Sequence, residues 1–272
     1  MSFITDNKSR TLFVSLGFLA DLKRYLTEKP YFLKGTKDRP DDFTLTNILT
    51  DLYTNVPVIN ARGFEDTFLL DTHGFQLFRH STSMSNDDFD NDDKLEQVYF
   101  SEMETFLTTK LKAQSVRVMQ SSVRERPEEF ENVSHDQRSK TQRGHKLPLT
   151  GLHIGSRLNI FVISRNVWTD QHQIRLNKGL IWRPLRSNLR DWPLVLCDAR
   201  SVAEDDKVEA DLIYPGFQGE NIFLYFSPHY KLYFLDEQAR DEIWLFKQFD
   251  SEPGVAQSKA YNSRVMYFTK QS

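Results

Sequence analysis

Histidine runs out early in this chain of 272 residues: of its seven histidines, none follows His229. Cysteine is scarcer still, since Cys197 stands alone. A single thiol excludes an internal disulfide and fits a reducing compartment. Cys197 ends the apolar run Pro193–Cys197 and reads as a packing residue rather than a nucleophile. Glycines number only eleven, with no Gly-x-Ser-x-Gly elbow and no phosphate-cradling glycine loop. The usual serine-hydrolase and nucleotide-binding signatures are thereby excluded. No apolar run approaches the roughly 18 residues needed to span a bilayer, and the polar opening MSFITDNKSR lacks a secretory apolar stretch. A cytoplasmic protein is expected. Neither charge dominates: 35 Lys and Arg stand against 38 Asp and Glu, a net of −3. Nucleic acid and membrane are therefore not expected partners.

What is present describes a globular protein, 39% hydrophobic and 27% charged. Aromatic residues make up 13% of the chain, enough bulk to fill the space between two sheets. The expectation is one domain, 1–272, with a helical N-terminal extension over about 1–115. Phe13, Leu16, Leu19, Leu22 and Leu26 predict a helix over 12–26, and Leu95, Val98, Tyr99, Phe106, Leu107 and Leu111 another over 94–112. Asp92 or Asp93 is the expected cap of the second. The acidic stretch Ser85–Asp93 lacks the glycine and terminal glutamate of a calcium loop and reads as a solvated turn.

Strands are predicted at Val116–Gln120, Leu158–Ile163, Leu194–Cys197, Ile222–Phe226, Tyr230–Phe234 and Val265–Phe268. Ser227-Pro228-His229 is the expected turn of a hairpin, and 236–249 a further helix. Helices first and then a run of strands suit a mainly β fold. The expected class is a double-stranded β-helix (jelly-roll, cupin-like) core with helices packed on one face.

Several ordered motifs carry a resemblance. They are LDTHGF over 70–75, Tyr99 to Glu104, WRPLRSNLRDWPLVLCDAR over 182–200, Gly219-Glu220, Ser227-Pro228-His229, and DEIWLFKQFDS over 241–251. In this order they resemble the fungal AsaB-type hydroxylase/desaturase family, which includes CmcJ-like and gibberellin-desaturase-like proteins. The resemblance implies a jelly-roll oxygenase using iron(II) and 2-oxoglutarate, with a His-x-Asp pair and a distal histidine. Here the pair falls on Ser134-His135-Asp136, so Asp136 keeps the carboxylate while Ser134 stands in place of the first histidine. His135 is one residue out of register, and neighbouring strand residues face opposite ways. The distal histidine is missing from the stretch around Ser258. A facial triad needs three ligands, so no metal and no cofactor are expected. Recruitment of His135 or His229 leaves iron(II) and 2-oxoglutarate as the alternative. Arg264 stands where the family arginine pairs with the far carboxylate of 2-oxoglutarate.

Some members of the family resemble metal-free hetero-Diels–Alderases. The main expectation is therefore a cyclase of fungal secondary metabolism that dehydrates a benzylic alcohol to a quinone methide and joins it to a sesquiterpene alkene. Asp136 or His135 would transfer the proton and Arg183 or Arg264 would hold the oxyanion. Positioning alone is worth up to roughly 7–11 kcal/mol. Arg183 has a second reading, as a buried salt bridge to Asp198 or Asp191. The candidate substrate contacts are Gln137, Ser134, His229, Trp182, Lys247 and Ser258, although Lys247 in a helix reads as solvent-facing. His73 is expected to hold the LDTHGF turn, and His145 and His153 read as loop histidines. Two other readings stay open: an iron oxygenase with unusual ligands, and a non-catalytic partner of an active paralogue. Polyketide and terpenoid substrates are implied. The resemblance allows a homodimer, for which the sequence specifies no interface.

Overall fold

The computed structural model describes residues 11–33, 45–124, 157–167, 174–185, 188–189, 193–214 and 217–256. In chain order the strands are β1 (Thr11–Leu19), β2 (Tyr31–Leu33), β3 (Thr50–Asn60), β4 (Phe75–Arg79), β5 (Ser115–Arg124) and β6 (Arg157–Val167). They continue with β7 (Ile174–Pro184), β8 (Leu196–Cys197), β9 (Lys207–Tyr214), β10 (Phe217–Leu224), β11 (Leu232–Phe234) and β12 (Glu242–Asp250). The α-helices are α1 (Leu70–His73), α2 (Asp92–Lys94) and α3 (Ser101–Lys110). Three sheets result, ordered β1-β3-β11-β8, β10-β9-β2 and β4-β12-β7-β6-β5.

Side-chain alternation stacks these sheets into layers. Val56, Val58, Leu232 and Phe234 of the four-stranded sheet meet Ile222 and Leu224 of the three-stranded one. On the opposite face, Leu196 and Tyr233 meet Phe75, Trp182, Trp244 and Phe246 of the five-stranded sheet. The far face of that sheet carries Val116, Ile181, Ile243 and Leu245, which Tyr99, Met103 and Leu107 cover. Leu107 is fully buried, so its truncation to alanine costs about 2–5 kcal/mol. This is the expected mainly β, jelly-roll class with a helix on one face.

Four sequence expectations change. The stretch predicted as a helix over 12–26 is β1 followed by a short 3-10 turn at Lys23–Leu26. Its apolar spacing fits either period, and the extended form wins because β1 pairs along its length with β3. The helix predicted over 236–249 is β12, which Ile243–Phe246 bury on both faces; such a run looks identical to a buried helix in sequence. Four strands therefore lie inside what was expected to be a helical extension. The turn at Ser227–His229 joins β10 and β11, which sit in different sheets and form no hairpin.

The helix expected at 94–112 is present, with a π-helical first part at Leu95–Phe100 running into α3. Its cap is Asn91, whose Oδ1 accepts the Lys94 amide at 3.0 Å, rather than Asp92 or Asp93. Cys197 is buried as expected, and burial pushes its thiol up to about 12, which makes it a poor nucleophile. Among the described residues no helix is long and apolar enough to cross a membrane.

Candidate functional site

Trp182 and Arg183 are neighbours on β7, so they face opposite ways. Trp182 enters the aromatic layer between the sheets, where it pairs across strands with Trp244. Arg183 points outward under the helix and is completely buried. Its Nε donates to the Tyr99 hydroxyl at 2.6 Å and its Nη1 to the Arg240 carbonyl at 2.6 Å. Its Nη2 donates to His80 Nδ1 at 2.8 Å and to the His80 carbonyl at 3.0 Å. On the helix side of the sheet its partners among the described residues are a phenol, two carbonyls and an imidazole, not Asp198; Asp191 lies outside the described residues. Asp198 holds Arg200 instead, with Nη2 to Oδ2 at 2.6 Å.

A guanidinium only donates, so His80 Nδ1 must accept and its ring proton sits on Nε2. Burial lowers the His80 pKa from 6.5, and the adjacent Arg183 charge lowers it further. The unfolded chain then takes up a proton near pH 6.5 while the folded protein does not. Stability is accordingly full above pH 6.5 and falls as pH drops towards the folded pKa. His73 shifts the same way, by burial and then by Arg200. Urea midpoints measured between about pH 7.5 and 5.5 should fall with acid, and His80→Gln should flatten that fall.

Lys247 is the clearest departure from expectation. On β12 it is buried, not solvent-facing, and its Nζ bridges Asp71 Oδ1 at 2.7 Å and Asp250 Oδ2 at 2.6 Å. The Lys247 amide donates to the Gly74 carbonyl at 2.7 Å, and the Ala256 amide to the Asp71 carbonyl at 2.8 Å. Gly74 ends α1 at φ 85°, a left-handed cap that other residues adopt at a cost. LDTHGF and FKQFDS are thus two halves of one joint. His73 plays its expected part there, its Nδ1 accepting the Leu69 amide at 3.1 Å.

A second tie closes the turn before β12. Glu242, 2% exposed, receives Arg62 through both carboxylate oxygens at 2.6 and 2.9 Å. Burial pushes this carboxyl up, but hydrogen bonds from Arg62 and the Ala239 amide, with the charges of Arg62 and Arg79, together hold it below its ordinary value. Sequence reading missed both Glu242 and His80. His80 falls in no motif, and Glu242 sits inside DEIWLFKQFDS with nothing local to mark its partner, Arg62, 180 residues away.

His229 lies exposed in its turn. Ser134, His135, Asp136, Gln137, Ser258 and Arg264, along with the strand expected at Val265–Phe268, lie outside the described residues. Among the described residues no three His, Cys, Asp or Glu side chains could hold a metal ion. His73 and His80 already use one ring nitrogen each within the protein.

The family model described as Oxidoreductase/YMDC permease-like domain matches residues 16–265. The chain belongs to that family. It is 25% identical over 236 residues to the alpha-ketoglutarate-dependent dioxygenase tstK of Talaromyces stipitatus, covering 80% of each chain. Hydroxylase/desaturase CTB9 of Cercospora beticola is 29% identical over 233 residues, 76% of this chain and 69% of that one. Among solved structures, the iron and alpha-ketoglutarate-dependent endoperoxidase NvfI has a TM-score of 0.66 at 21% identity, over 92% of this chain and 87% of that one. The fold is therefore shared with that jelly-roll protein, and the resemblance to fungal hydroxylase/desaturase proteins stands.

The expectation that no cofactor is needed does not stand. The missing distal histidine suggested it, yet a relative matching four-fifths of the chain is named for alpha-ketoglutarate and the shared fold is that of an iron enzyme. These relatives carry the names of oxygenases, not of metal-free cyclases.

Proposed function

We propose that this protein is an iron(II)- and 2-oxoglutarate-dependent oxygenase of fungal secondary metabolism, hydroxylating or desaturating a small molecule. The observation that supports it most is the match to dioxygenase tstK over 80% of both chains. The described residues do not themselves fit an iron ion, as no donor cluster exists among them. On this reading the donors come from His135, Asp136, His145, His153 and His172, which lie outside the described residues. Two imidazoles and a carboxylate on one face are what iron(II) chemistry requires. Arg264 is the candidate partner for the far carboxylate of 2-oxoglutarate, since a planar guanidinium matches a carboxylate with two parallel hydrogen bonds.

The test is oxygen-dependent release of succinate from 2-oxoglutarate by the full chain, with and without added iron(II). Iron-dependent succinate that disappears in Asp136→Ala and in two of the single alanine variants of His135, His145, His153 and His172 supports the reading. Folded protein that forms no succinate above the metal-free control refutes it.

A further inference from the structure

The segment His80–Met84 links β4 to the 3-10 turn at Asp87–Asp90, and polar ties hold it in place. Arg183 on β7 donates from Nη2 to both His80 Nδ1 and the His80 carbonyl. The His80 amide donates to the Asp241 carbonyl at 2.8 Å. On α3, Glu102 accepts the Ser83 amide at 3.0 Å and the Ser83 and Thr82 hydroxyls at 2.5 and 2.6 Å. Arg240 donates to the Met84 carbonyl at 2.5 Å. Ser81 and Ser83 are exposed and only Met84 is buried, so little apolar packing backs these ties.

One tie depends on a proton near neutral pH. A guanidinium cannot accept, so the bond to His80 Nδ1 exists only while that nitrogen is unprotonated. A proton there replaces the acceptor with a donor and sets two cations 2.8 Å apart. The charged groups around the ring decide where it goes next. Arg183 and Arg240 repel it, and Tyr99 keeps its proton because burial pushes its phenol up. Lys110 lies over the Phe106 ring at 5.8 Å, and that ring packs edge-on against His80 at 4.7 Å. Asp241 pairs with Arg79 at 4.0 Å, and Glu242 with Arg62 and Arg79. Glu102 is the carboxylate whose charge favours the protonated ring. Its three bonds to Thr82 and Ser83 use three of a carboxylate's roughly four lone pairs.

We propose that His80–Met84 is an acid-released strap: on protonation, His80 exchanges Arg183 for Glu102 and the strap loosens from the sheet. The helix stays in place, since buried Met103 and Leu107 hold it by packing that no proton alters. The acid sensitivity of the fold is thereby assigned to one segment that opens by itself.

Hydrogen exchange of the intact protein tests this, with rates corrected for the intrinsic pH dependence of amide exchange. The His80 amide reports the strap, and the amides of β7 and β12 report global unfolding. The strap should open more readily than those strands at every pH. Its opening constant should rise severalfold between about pH 7.5 and 5.5, one proton being worth at most about tenfold per pH unit. His80→Gln keeps an acceptor for Arg183 but does not titrate, and should abolish the rise. Glu102→Gln removes the charge that receives the ring, and should diminish it. A His80 amide that exchanges only with β7 and β12, or whose opening ignores acid, overturns the proposal. So does a rise that survives His80→Gln or is undiminished in Glu102→Gln.

Discussion

Arg183→Met should lower the free energy of unfolding by about 3–5 kcal/mol, because several buried acceptors lose their donor at once and each orphan costs about 1–3 kcal/mol. The side chain has no exposed surface, and four hydrogen bonds tie it to Tyr99, His80 and Arg240. Methionine fills much of the volume but supplies no donor, so the loss reports the hydrogen bonds more than the packing. Arg183→Lys should recover little, since an ammonium cannot reproduce the planar fork. Tyr99→Phe should cost about 1.5–3 kcal/mol, the range for a hydrogen bond to a charged group. The double variant should cost less than the sum of the two, as expected for groups in direct contact. Urea unfolding with an unchanged m-value measures all of this. A loss under about 1 kcal/mol for Arg183→Met would show that the network contributes little beyond filling space.

Lys247→Met should be of similar size, about 3–5 kcal/mol, for a different reason. Asp250 has no side-chain exposure, and removing Lys247 takes away a buried cation that helps offset its desolvation. Asp71 is about half exposed and can turn to water, so most of the penalty belongs to Asp250. Combining Lys247→Met with Asp250→Asn should therefore restore a large part of the stability. Because Lys247 joins α1 to the end of β12, limited proteolysis should also cut the single variant faster near residues 70–75. If the double variant is no more stable than Lys247→Met alone, the charge account is wrong and packing at this joint dominates.

The fold class was legible because several strands carry dense β-branched and aromatic runs, as in Leu158–Ile163 and Ile222–Phe226. The long helix was legible through Leu95, Tyr99 and Leu107 at helical spacing. β1 and β12 were not. Their apolar residues also fall three apart, and a strand buried on both faces shows no alternation to distinguish it from a buried helix. That one misreading carried Lys247 to the wrong environment, since a lysine on an outward helical face is solvated while the same residue on β12 is enclosed. A second limit is direction. The sequence marks Trp182-Arg183 as a motif, but only strand pairing shows that Trp182 enters the inter-sheet layer and Arg183 the helix side.

The account turns on whether the chain holds iron with 2-oxoglutarate. The most direct measurement is an anaerobic iron(II) titration of the full chain in the presence of 2-oxoglutarate, following the visible charge-transfer band of the chelated metal. The account predicts a saturable band near one equivalent, lost when Asp136 is replaced by alanine. Folded protein that develops no band at any iron concentration would contradict it.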